Sequence, residues 1–108
     1  MREAAGYLTG EHDFKSFCAN KKMKKSTIRT IYGIKIEECG SKVILTFCGN
    51  GFLYHMVRIM TGTLIETGLG KRNPKDVLEI IKAENRQEAG FTAPPEGLFL
   101  VKAEYAEE

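Results

Sequence analysis

Residues 27–48 read TIRTIYGIKIEECGSKVILTFC, and their period decides the fold. Ile28, Thr30, Tyr32, Ile34 and Ile36 alternate with Arg29, Ile31, Gly33, Lys35 and Glu37, the two-residue repeat of a strand whose second face is moderately protected near its start. Gly40-Ser41 then reads as a turn, and Val43 to Cys48 as a second strand, so the two are predicted to pair as an antiparallel hairpin.

Downstream, Gly49-Asn50-Gly51 punctuates the strand end and the period lengthens. Leu53, Met56, Val57, Met60, Leu64 and Thr67 recur at three-to-four spacing, which predicts a helix facing the sheet and ending at Gly68 and Gly70. A second helix is predicted from Asn73 as N-cap, with Pro74 at its first position and Asp76 facing the open amides, to about Ala83. Its apolar side is Val77, Leu78, Ile80 and Ile81. Glu84 to Glu96 has no sustained period, and Ala93-Pro94-Pro95 suits neither a helix interior nor a central strand. After Gly97, Leu98 to Tyr105 reads as a last strand, with Phe99, Val101, Ala103 and Tyr105 on one face and Leu98 and Leu100 on the other.

Upstream, Met1 to Leu8 suffices for two helical turns, and Gly10 interrupts it. Glu11 to Phe17 reads as a turn or short helical excursion with Phe14 and Phe17 on one side, and Asn20 to Ser26 as a polar basic loop. The order predicts an α/β (α+β) fold, residues 1–108 as a single domain, with a mixed or mainly antiparallel sheet and helices packed on one face.

At 108 residues the chain suits one modest core. Sixteen Lys and Arg against 14 Asp and Glu leave +2, which alone says little about nucleic acid. The distribution says more: Lys21, Lys22, Lys24, Lys25 and Arg29 crowd into nine positions. Cys18, Cys39 and Cys48 lack CxxC spacing, which disfavours a zinc site or disulfide framework and fits a reducing compartment. No apolar run approaches about eighteen residues and no signal peptide is visible, so a cytoplasmic chain with no membrane partner is expected.

Arg58 is the first candidate for chemistry. Helical spacing sets Tyr54, His55, Thr61 and Gly62 around it, away from the apolar strip. A guanidinium so placed needs a carboxylate or phosphate if buried, or else snorkels to water, and both readings stay open. Gly62 removes bulk where a partner can approach, at about 1 kcal/mol of helix propensity relative to alanine. His55 is either an RNA-contacting residue or a half-buried histidine with one structural hydrogen bond. The lysines and Arg29 can meet phosphates without reading a base sequence, or form a solvated loop. Phe14 and Phe17 suit packing better than base stacking. A phosphate-binding glycine loop, a serine nucleophile elbow and a paired-carboxylate site are all missing, and Gly68-Leu69-Gly70-Lys71 is better read as helix termination. An acid/base pair of Asp13 with His12 rests on spacing alone.

The pieces Gly10-Glu11-His12-Asp13-Phe14, Arg29-Thr30-Ile31, Gly49 to Arg58, Gly62-Thr63-Leu64, Gly68-Leu69-Gly70-Lys71, Ala93-Pro94 and Gly97-Leu98-Phe99-Leu100-Val101 occur in an order that resembles the C-terminal half of bacterial tRNA pseudouridine synthases of the TruA family. The resemblance implies isomerisation of uridine to pseudouridine in the tRNA anticodon stem-loop, with no metal or organic cofactor. It implies an essential aspartate in an Arg-Thr-Asp-Ala-Gly motif of the N-terminal half, a motif that does not occur in these 108 residues. By the same resemblance Arg58 ion-pairs with that aspartate, Leu98 packs the target base, His55 lies near the cleft, and the basic loop holds tRNA. Partners implied are tRNA, the missing N-terminal catalytic domain and, possible in this family, a homodimer. The 108 residues alone are then expected to be inactive; a non-enzymatic RNA-binding α/β module and a structural or dimerisation domain are the alternatives.

Overall fold

The structure is a computed structural model that describes residues 1–20, 26–40, 42–53, 55–93 and 99–105, with backbone alone at 39, 42 and 99–105. The four lysines of the basic loop, Ser41, Tyr54, Pro94, Pro95, Gly97 and Leu98 lie outside the described residues, as do the side chains on the two expected faces of the last strand.

Helix α1 (Arg2–Leu8) leads into strand β1 (Gly10–Asp13) and a 3₁₀ turn at Lys15–Phe17. Strands β2 (Ile28–Cys39) and β3 (Lys42–Gly49) follow, then helices α2 (Met56–Gly68) and α3 (Asp76–Ala83), a 3₁₀ turn at Arg86–Glu88, and strand β4 (Phe99–Tyr105). The sheet order is β1-β2-β3-β4. The hairpin forms as its alternation predicts, with Cys39 opposite Lys42 and Gly40 at φ +62°, a backbone state that glycine adopts without Cβ strain. Strand β4 joins β3 in parallel, Val43 opposite Phe99 through Gly49 opposite Tyr105, so α2 and α3 form the crossover that a parallel pair requires. The sheet is therefore mixed.

Two local readings are corrected. Glu11 to Asp13 is no turn: it belongs to β1, antiparallel to β2 with Gly10 opposite Ile31 and Asp13 opposite Ile28. Four residues with three polar side chains carry no alternation, and it is pairing with β2 that makes them a strand. The helical excursion survives only at Lys15–Phe17, beside Phe14 and Phe17, whose buried rings meet edge to face at 6.2 Å.

The second correction concerns the facing of β2. Ile31 to Gly33 oppose only Gly49 and Cys48, so the strand carries a bulge. One extra residue reverses the side-chain alternation: Ile31 is buried before the bulge, whereas Ile34 and Ile36 pack on the core after it. Ile28 and Tyr32, expected on the inner face, are 50% and 49% exposed.

The core lies between sheet and helices. Ile31, Leu45 and Phe47 meet Ala4, Ala5 and Leu8 of α1, Met56, Ile59, Met60 and Leu64 of α2, and Val77 and Ile80 of α3. Of the predicted apolar side of α3, Leu78 is instead exposed. The helix begins later than expected, at Asp76 with Lys75 as its N-cap, and Asn73 instead closes the turn before it: Asn73 Oδ1 accepts from Lys75 N at 3.0 Å and Asp76 Oδ2 from Asn73 N at 3.1 Å. Helix α2 stops where its glycines predict, with Gly70 at φ +78°, Gly70 N bonded to Thr67 O and Lys71 N to Glu66 O.

Candidate active site

The chain reaches α2 through a tightly held corner. Asn50 N donates to Thr30 O at 3.0 Å while Thr30 N donates to Asn50 Oδ1 at 2.9 Å, so the asparagine side chain extends the β2–β3 ladder past its last backbone pair. A Cβ on Gly49 would stand 2.8 Å from Thr30 O, and one on Gly51 3.4 Å from Arg29 Nε, so both glycines let β2 and the Arg29 side chain close over this corner. His55 then takes a left-handed backbone, φ 60° and ψ 10°, immediately before α2. Such a state costs a non-glycine residue on the order of 1 kcal/mol or more, and it turns the chain into the helix that carries Arg58.

Arg58 is half-buried and anchored by one edge. Its Nε donates to Ala93 O at 2.7 Å, and Ala93 N returns a bond to Arg58 O at 3.0 Å. Nη1 lies 3.3 Å from His55 Nδ1. A guanidinium can only donate, so this contact requires Nδ1 as acceptor and the imidazole proton on Nε2. With Nε and Nη1 bonded inside the protein, the side chain is not simply snorkelling. Among the described residues the ion pairs are Lys35–Glu37 and Arg72–Glu66, and neither involves Arg58. Described Arg58 contacts are thus a carbonyl and an imidazole, with no carboxylate.

Sequence reasoning missed the segment that fixes this geometry. Residues 88–93 run back along α2: Arg72 Nη1 donates to Glu88 O at 2.9 Å, Gly90 N to Thr63 Oγ1 at 2.9 Å, and Phe91 N to Glu66 Oε1 at 3.4 Å. Gly62, expected to leave room for a partner, is instead covered by this segment, since a Cβ there would stand 1.8 Å from Phe91 O. That contact also explains why Thr61, Gly62 and Thr63, outside the apolar strip, are buried. Glycines at 62 and 90 were the only visible signal, and spacing alone could not join them.

The bond from Arg72, at 2.5 Å, holds the Glu66 carboxyl below the usual glutamate range, against the opposing effect of burial. A carboxylate depressed in the folded state stabilises above its unfolded pKa and loses that stabilisation as pH falls through the folded one. Glu66→Gln is therefore expected to lower the urea midpoint at pH 6–7 and to converge on the parent as the pH falls from there through the depressed folded-state pKa. Parallel curves over that range would contradict this.

The other candidates fall elsewhere. Arg29 Nη1 donates to Ser26 O at 2.6 Å and Ile28 O at 2.8 Å, at the edge where the basic loop joins β2. His12 Nε2 bonds Thr9 O at 2.8 Å rather than Asp13, whose carboxylate accepts from Thr27 Oγ1 and from Lys15 N. Asp13 also lines a groove of about 580 Å³ with Lys15, Thr27, Glu84 and Arg86, to which neither His55 nor Arg58 contributes. Hydrogen bonding to Asp13 raises the Glu84 carboxyl there. Among the described residues no group of three His, Cys, Asp or Glu could hold a metal, and no helix is long and apolar enough to cross a membrane.

Comparison with known proteins gives the geometry its context. A family model described as tRNA pseudouridine synthase matches residues 4–106. The chain is 51% identical over 105 residues to tRNA pseudouridine synthase A of Brevibacillus brevis, covering 97% of the chain and 43% of that protein. It is 45% identical over 108 residues to the protein of the same name from Oceanobacillus iheyensis, covering 99% and 43%, and 49% identical over 105 residues to that of a Thermoanaerobacter species, covering 97% and 43%. The chain thus spans less than half the length of these curated relatives.

Proposed function

The chain belongs to the tRNA pseudouridine synthase family, and on that premise we propose that it is the RNA-binding, active-site-completing half of an enzyme that isomerises uridine to pseudouridine in the tRNA anticodon stem-loop. The catalytic carboxylate comes from an N-terminal portion that these 108 residues do not contain. Arg58 pairs with it across the cleft. What supports this is the arginine itself: half-buried, held by Ala93 O and His55, and without a carboxylate among the described residues.

The reaction breaks the bond from the ribose to uracil N1 and makes one to C5, with N1 gaining a proton and C5 losing one, so no atoms are exchanged overall. No cofactor is required for that balance. Arg58 contributes by keeping the aspartate ionised near neutral pH and by aiming it, since a cation within about 4–6 Å lowers a carboxyl pKa by 1–3 units. Lys21, Lys22, Lys24, Lys25 and Arg29 hold the tRNA backbone, His55 lies at the edge of the cleft, and Leu98 packs the target base. The enzyme works in the cytoplasm, and pairing of two copies is compatible with the reading.

The test is direct. Purified 108-residue chain incubated with tRNA is expected to form no measurable pseudouridine, while the complete enzyme forms it under the same conditions. Turnover by the chain alone would remove the need for an outside carboxylate.

A further inference from the structure

We infer that Thr63 and Glu66 are positioning residues for Arg58, acting through the 88–93 segment that they fasten to α2. The inference rests on the role proposed for Arg58 and adds what fixes that arginine in place.

The chain of contacts is continuous. Glu66 sits two turns beyond Arg58 on α2 and takes Phe91 N on one oxygen and Arg72 Nε on the other. Arg72 in turn holds Glu88 O, so the ion pair grips the segment at its entry. Thr63, fully buried, accepts from Gly90 N while its own hydroxyl proton goes to Ile59 O at 3.0 Å. Gly62 and Gly90 bring the two backbones so close that a Cβ at 90 would stand 2.8 Å from Thr63 N. The segment then ends at Ala93, whose carbonyl takes Arg58 Nε.

Direction matters here. An arginine side chain has several freely turning bonds, and one hydrogen bond at Nε fixes the plane of the guanidinium and so the direction of its outer donors. That bond is only as fixed as the Ala93 carbonyl. The carbonyl is placed by Gly90, Phe91 and Glu88, which are hydrogen-bonded to Thr63, Glu66 and Arg72 rather than to Arg58. Loosening Thr63 or Glu66 therefore leaves Arg58 charged and present but misaimed, and small misplacements of a reacting constellation cost large factors in rate.

The complete synthase is the material for the test, with single-turnover pseudouridine formation and tRNA affinity measured in parallel. Thr63→Val, which deletes the acceptor for Gly90 N, and Glu66→Ala, which deletes those for Phe91 and Arg72, are each expected to slow the chemical step about tenfold with tRNA Kd within about twofold. Thr63→Ser, which keeps the hydroxyl, is expected to recover most of the Thr63→Val loss. Should Thr63→Val not fold, Glu66→Ala on the half-exposed side of α2 carries the test. Arg58→Lys has no Nε to anchor, so in that background either substitution is expected to add less than about twofold. Equal fractional losses with and without Nε, or no loss in the parent, overturn the positioning role. Full activity of Arg58→Lys and Arg58→Ala alike overturns the reading of Arg58 itself, a distinct result.

Discussion

Gly62→Ala is expected to destabilise the chain by about 3 kcal/mol and to lower its melting temperature by roughly 10–20 °C. On an open helix face the same change would stabilise by about 1 kcal/mol, because alanine is the better helix former. Here the new methyl would stand 1.8 Å from Phe91 O and 2.8 Å from Phe91 C. Both are backbone atoms, so no side-chain rotation relieves the clash. The segment must lift, which breaks the Gly90–Thr63 bond and both bonds between Arg58 and Ala93. Each is worth about 1 kcal/mol net, and a buried Gly90 N left without an acceptor costs more. Thermal unfolding by circular dichroism measures the result, and an unchanged or raised midpoint would mean that the segment does not pack here.

The larger functional effect is expected at Arg58. Arg58→Ala in the complete enzyme removes the proposed partner of the catalytic carboxylate and is expected to lower kcat by about 10²–10³-fold, the range found when one preorganised charge-stabilising donor is deleted. Arg58→Lys should fall between, because an ammonium restores charge but neither the Ala93 anchor nor a planar two-donor fork. Both changes should largely spare tRNA affinity, since the proposed role of Arg58 is toward the reacting groups and that of the basic loop toward the phosphates. A rise in KM with unchanged kcat would instead mark Arg58 as an ordinary tRNA-binding residue.

Much of this architecture was legible in the chain. The hairpin follows from an alternating run and an apolar run on either side of Gly40, and α2 and α3 from apolar spacing, the Asn73-to-Asp76 turn signal and the Gly70 stop. What escaped was set by partners distant in sequence. Strand β1 is too short and polar to announce itself, and the bulge at Ile31 to Gly33 leaves no local mark while reversing which residues face inward. The parallel setting of β4 likewise has no counterpart in its own residues. At the site, the Gly49-to-Arg58 stretch pointed to the arginine, but not to Ala93, thirty-five residues away, as the group that anchors it. Gly62 was visible as an oddity in a helix; only the fold shows that its neighbour belongs to the same chain.

In the proposed function Arg58 acts in the chemical step. The most direct measurement is the single-turnover rate of pseudouridine formation by the Arg58→Ala complete enzyme, at enzyme concentrations well above its measured tRNA Kd. A rate lower by at least about 10²-fold at full tRNA occupancy is expected. A rate equal to that of the parent, with tRNA equally bound, would contradict that role.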